Sequence, residues 1–213
     1  MHLIGRNTSF NVQKVVWLLN ELNLDYEHTE LGGRFGGLDA PEFGDKNPHR
    51  KVPVLEDGPL CLWESHAILR YLSATYGDAI WWPADPGKRA MDDRWLDWQA
   101  TRLQPDFMAL FWGYYREPEP TRDMRAVNAA RDRCRNDYEL LDQILAGQAF
   151  LSGEHFGLAD IPAGATLYRY FGMGLDVPEP ANVMRWYAAL KERPAFAQCI
   201  MVPFDELFGR SDF

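Results

Sequence analysis

Three short stretches of this chain carry side chains that could bind or stabilise charge. Thr8-Ser9-Phe10-Asn11 offers two hydroxyls and a carboxamide where an apolar run gives way to a helical pattern, and it contains no cysteine. Groups of this kind either cap the helix or donate to an anion at its positive end. Arg50-Lys51-Val52-Pro53 sets two cations before an X-Pro bond inside a run that otherwise reads as a strand. Pro53 has no N–H for a sheet ladder, so an edge strand, a bulge and a cis peptide bond are the three readings. Glu64-Ser65 opens a second helical pattern, where free N–H groups attract a carboxylate and Ser65 either joins in holding it or caps the helix.

The elements that must position these residues follow from periodicity. Residues 2–5 form a short apolar strand, and Val12, Val15, Val16, Leu19 and Leu22 recur at helical spacing. Tyr26 to Leu31 suits a second strand, and Gly32-Gly33-Arg34-Phe35-Gly36-Gly37 opens a long loop. Apolar runs on either side of Asp57-Gly58 form a hairpin, and Ser65 to Leu72 continues as a helix. Trp81-Trp82-Pro83-Ala84-Asp85-Pro86-Gly87 breaks the pattern, its tryptophans packing a domain junction. Periodic segments at 88–116, 122–146, 158–171 and 181–192 follow without β-type alternation. The order is β-α-β, β-β-α, then helices only: an α/β domain over residues 1–80 and an all-α domain over residues 88–213. In Phe156-Gly157-Leu158-Ala159-Asp160-Ile161, Gly157 fits an N-cap with Asp160 accepting its N–H and Phe156 packing on Ile161, a structural role.

Composition narrows the function. The chain has 213 residues, 46% hydrophobic, and a formal net charge of −9, which argues against nucleic acid or an anionic membrane surface as partner. No apolar run approaches the ~20 residues of a membrane span, and the N-terminus lacks a signal-peptide pattern, so a cytoplasmic location is expected. Cys61, Cys134 and Cys199 give neither a disulfide framework nor a Cys-x-x-Cys pair, and the five histidines lack metal-ligand spacing. No metal is expected.

The whole chain resembles the glutathione S-transferase family, in particular its bacterial serine- and asparagine-type members. The resemblance rests on "SFNVQKVVWLLNEL", "NPHRKVPVLEDG", "LWESHAILRYL", "RWLDWQ" and "GLADI" in that order. It implies a thioredoxin-like first domain with a helical second one, and a cis Val52-Pro53 bond that turns the Val52 backbone outward to the cysteinyl unit of glutathione. Ser65 would hold the γ-glutamyl carboxylate with Glu64 nearer the ammonium. Arg50 or Lys51 would meet the glycine carboxylate, and Arg34 and Phe35 would close over the glycyl end.

The reactive sulfur would be that of glutathione, a co-substrate and not a resident cofactor. Ser9 is the first choice of donor to the thiolate and Asn11 the second. Phe111, Trp112, Tyr115 and Arg116 are candidates for the electrophile pocket, and a homodimer is implied. The leading activity is conjugation of the thiolate to a small hydrophobic electrophile. Glutathione-dependent disulfide or peroxide reduction and a non-catalytic carrier or interaction module on the same fold are the alternatives.

Overall fold

The computed structural model describes residues 1–211. Four strands form one sheet in the order β2-β1-β3-β4: β1 (His2–Ile4) pairs parallel to β2 (Glu27–Thr29) and antiparallel to β3 (Val54–Asp57), which pairs antiparallel to β4 (Leu60–Trp63). The parallel pair is joined through α1 (Phe10–Glu21), and α3 (Ser65–Tyr76) follows β4. This is the thioredoxin-like βαβ-ββα arrangement. The rest is helical: α4 (Pro86–Trp98), α5 (Gln104–Leu110), α6 (Met124–Leu145), α7 (Asp160–Gly172), α8 (Ala181–Lys191) and α9 (Pro194–Cys199). No helix among the described residues is long and apolar enough to cross a membrane.

Helix α1 is buried on more than one face because it packs against α3 on one side and α7 and α9 on the other. Its second apolar row, Phe10, Trp17 and Leu18, belongs to the same continuous core as Ile161 and Phe196 from the helical part. Sheet and helices therefore share one core. Gly5, at the end of β1, has φ 147°, and a Cβ there would lie 2.5 Å from Val12 Cγ2 and 2.8 Å from Val52 Cβ. Only glycine lets the Val52 loop come this close to the start of α1.

Several boundaries differ from the sequence pattern. The second strand is only three residues long, and the loop after it contains a one-and-a-half-turn helix, α2 (Pro41–Lys46), anchored by buried Phe43 against Ile4 and Val54. The hairpin register pairs Asp57 with Leu60, so Gly58-Pro59 forms the turn instead of Asp57-Gly58. Gly58 takes φ 56° at the first turn position, and the ring of Pro59 holds a negative φ at the second. Pro53 precedes β3 and owes the ladder nothing. The 88–116 segment is helical but interrupted by two wide π-turns, Gln99–Leu103 and Phe111–Arg116. Pro105 cannot donate to the Thr101 carbonyl, which accounts for the first.

Asp160 is fully buried and accepts four hydrogen bonds: from the backbone N–H groups of Leu151 (2.7 Å), Ser152 (3.3 Å) and Gly157 (3.0 Å), and from Trp186 Nε1 (2.9 Å). The expected bond from Gly157 is present, while regular helix begins only at Asp160. Phe156 packs among the rings of Trp17, Trp81 and Phe150. Burial pushes the Asp160 carboxyl up to about 6 against the pull of its four donors. Asp160→Ala would leave all four donors without an acceptor and is expected to cost about 3–5 kcal/mol, read as a lower urea midpoint with unchanged slope.

Candidate active site

A cleft of about 280 Å³ lies beside the N-termini of α1 and α3. Lys51, Val52 and Pro53 line it from the loop before β3, Glu64 and Ser65 from the start of α3, and Asn11 from the first turn of α1. The Val52–Pro53 bond is cis. Asn47 and His49 also line the cleft. The Asn47 carboxamide staples this loop, donating to the Lys51 carbonyl at 2.7 Å and accepting from the His49 N–H at 2.9 Å. Asn47-Pro48 is a turn signal, and that was the clue available for it in the sequence.

The structure separates Arg50 from Lys51. Arg50 turns away from the cleft and donates through Nη1 to the Leu38 carbonyl at 2.9 Å and the Ala40 carbonyl at 3.0 Å, tying down the entry to α2. Lys51 is the cation of the pair that faces the cleft. At α3 the capping residue is Glu64, with φ 73° and ψ 112°, and neither it nor Ser65 makes a side-chain cap bond. Ser65 is buried, with Oγ 3.4 Å from Asn11 Oδ1. A plain capping role for Ser65 is not what the geometry shows.

A buried lysine stands behind Asn11. Lys14 Nζ lies 3.1 Å from Asn11 Oδ1, 3.1 Å from His66 Nε2, 3.2 Å from Gln99 Oε1 and 2.6 Å from Gln104 Oε1. Burial pushes its ammonium well below the ordinary lysine range, with the Glu64 carboxylate opposing. Burial and the charges of Lys14 and Arg70 push His66 down to about 2, so its imidazole is neutral and Nε2 accepts. Lys14 Nζ donates to Asn11 Oδ1, so the carboxamide turns its oxygen toward Lys14 and its N–H end away from it.

A second cavity, about 100 Å³, adjoins the same helix start. Ser9 and Asn11 line it from one side, and Phe111, Trp112 and Arg116 from the second π-turn. Asn11 thus borders both cavities, whereas Ser9 borders only the second. The Ser9 hydroxyl makes no cap bond to α1. Tyr115, expected in this pocket, instead packs into the aromatic core against Phe111, Phe204 and Phe208, because the wide turn rotates it inward. Arg34 and Phe35 are not brought to the cleft either. Arg34 pairs with Glu206 at 2.6 Å, and both residues border a separate hollow near Thr8 and Pro203.

The architecture, a thioredoxin-like unit with a cis-proline loop and a helical unit completing a second cavity, defines a class, and comparison with known proteins assigns it. Residues 3–79 match the glutathione S-transferase N-terminal domain, and residues 125–189 match the glutathione S-transferase C-terminal domain. The chain is 39% identical to the glutathione S-transferase GstB of Escherichia coli K12 over 203 residues, covering 94% of this chain and 98% of that one. The disulfide-bond oxidoreductase YfcG of the same organism is 27% identical, with 90% of each chain covered. Among solved structures, the theta class glutathione S-transferase of Xanthomonas axonopodis pv. citri with glutathione bound superposes with a TM-score of 0.91 at 41% identity, covering 95% of this chain and 97% of that one. The chain belongs to the glutathione S-transferase family.

Two substitutions test this geometry. Glu64→Gly and Glu64→Ala remove the same carboxylate, but only glycine adopts φ 73° freely, so the glycine variant should be the more stable of the two by about 1 kcal/mol in denaturant titrations. Lys14→Met keeps the apolar stem and strands four acceptors, two of them on the buried residues His66 and Gln99. It should lose about 3–5 kcal/mol of stability, and a loss below 1 kcal/mol would mean that the network does not hold the fold.

Proposed function

We propose that the protein conjugates glutathione to small electrophiles, with the peptide in the larger cleft and the electrophile in the smaller cavity. In this reading the Val52 backbone meets the cysteinyl unit, Ser65 and the α3 N-terminus hold the γ-glutamyl carboxylate, Glu64 faces the ammonium, and Lys51 faces the glycine carboxylate. Residues 1–80 form the glutathione-binding domain and residues 88–213 the domain that completes the second cavity. The enzyme works as a cytoplasmic homodimer, in keeping with three free cysteines.

The observation that carries this reading is that Asn11 borders both cavities. The thiol of a peptide lying across Val52 and Ser65 would reach the electrophile past that side chain. The Asn11 N–H stabilises the thiolate, and Ser9 contributes from the electrophile side. The sulfur then attacks carbon, the S–C bond forming as a leaving group departs with its electron pair or as an activated double bond takes up a proton from solvent. The aromatic groups Phe111 and Trp112 that line the smaller cavity beside Asn11 suit a small organic electrophile.

A free thiol has a pKa near 8.5, and one hydrogen bond to an ion is worth about 1.5–3 kcal/mol, or about 1–2 pKa units. Asn11→Ala should therefore raise the thiol pKa of bound glutathione by about 1–2 units in ultraviolet titration, with Ser9→Ala raising it less. Glutathione affinity, measured by calorimetry, should change only a few-fold. If neither variant shifts the titration, neither side chain activates the sulfur.

A further inference from the structure

Lys14 is 0% exposed and lines neither the cleft nor the smaller cavity, yet it stands one helical turn from Asn11, which borders both. Residues three apart on a helix share a face. Lys14 Nζ donates to Asn11 Oδ1 at 3.1 Å, and a longer contact to the same oxygen, from Ser65 Oγ, is 3.4 Å.

The constraint runs from the lysine to the amide. Nζ is held from outside α1: it lies 3.1 Å from His66 Nε2 on α3, and it donates to Gln99 Oε1 at 3.2 Å and to Gln104 Oε1 at 2.6 Å. The Phe10 ring closes the α1 side, its centre 4.5 Å from Nζ. Gln99 shows how strong the demand is, because its oxygen stays on Nζ although its Nε2 is buried with no hydrogen-bond partner among the described residues. With Nζ tethered in this way, it is the half-buried Asn11 carboxamide, on a broad terminal torsion, that adapts to it.

An amide N–H stabilises an anion only when it points at it, and a carboxamide left to turn presents its oxygen as readily as its N–H. We propose that Lys14 is a positioning residue for the conjugation: it holds the Asn11 oxygen inward, so that the N–H end meets the thiolate of bound glutathione. This rests on the reading of Asn11 as a donor to the sulfur. Lys14 touches no reacting atom in this role. A direct electrostatic pull of Lys14 on the sulfur is the competing explanation. Glu64 acts on Lys14 and Arg70 on its partner His66, and both stay in place in the variants below.

The test is a double-variant cycle on the full chain with glutathione bound, read by ultraviolet titration of the thiol. Asn11→Ala removes the donor, and Lys14→Met removes what aligns it. Lys14→Met should raise the thiol pKa by at least about 0.5 unit, since an unaligned donor loses much of its pull on the anion. Glutathione affinity in calorimetry should change only a few-fold. In the Asn11→Ala background the same substitution should add less than about 0.2 unit, because the residue it acts through is gone. If Lys14→Met does not fold, the cycle is run with Lys14→Met, Gln99→Leu and Gln104→Leu together, which removes stranded acceptors along with their donor. A shift that persists undiminished in the Asn11→Ala background comes from Lys14 acting on the sulfur directly and overturns the positioning role. An unshifted thiol in the folded lysine variant, where Asn11→Ala does shift it, overturns that role and leaves the donor reading intact. An unshifted thiol in Asn11→Ala overturns both.

Discussion

The Lys14 Nζ sits out of contact with water, and the protein must satisfy it with its own hydrogen-bonding groups. A buried polar group without such partners would cost several kcal/mol, so the four groups around it are not free to wander. They come from separate parts of the chain: Asn11 from α1, His66 from α3, Gln99 from the π-turn after α4, and Gln104 from the start of α5. One interaction thus locks the first helix of the thioredoxin-like unit to its third helix and to the first long helix of the helical unit. The cleft and the second cavity keep their relation because this point is fixed.

A second link of the same kind holds the other side of the site. Arg169 rises from α7 and bonds the Thr8 carbonyl and Gln13, so the short loop that carries Ser9 is positioned by the helical unit. Asp160, at the start of the same helix, secures the chain from Leu151 to Gly157 and reaches Trp186 on α8. The electrostatics of the cavity therefore follow from the packing of the fold. A charge placed on α7 to hold a loop also faces the space where a second substrate would react.

Much of this was legible in the sequence, for reasons that differ by residue. Val52-Pro53 and Glu64-Ser65 stand out because a proline in an apolar run and a polar pair at a helix start are local anomalies. Lys14 does not stand out: it lies in register with Phe10, Trp17 and Leu18, a row that one reads as apolar only after knowing that α1 is covered on a second face. Arg169 sits in the periodic pattern of α7, and nothing local shows that it points into a cavity 161 positions away, at Thr8. Tyr115 fails for the opposite reason. Helical spacing put it beside Phe111 and Arg116, but a π-turn changes the angle per residue, and no residue within Phe111–Arg116 signals that change. Helix α2 is hidden by its glycine and proline content, which reads as loop until Phe43 finds Ile4 and Val54.

If Asn11 is the donor to the thiolate, the lysine behind it bears on how an amide could serve in that place. An amide N–H is a neutral donor and on its own a modest one. Here its oxygen accepts from Lys14 Nζ, which strengthens the N–H as a donor, as hydrogen bonds in series polarise one another in a low-dielectric setting. A hydroxyl at the same place could rotate and donate elsewhere, as Ser65 Oγ does toward Asn11. The amide is held with its oxygen toward Lys14, whose Nζ donates to it at 3.1 Å. The Lys14 contact therefore sets the direction of the Asn11 N–H, the orientation that a donor to a thiolate in the cleft would need.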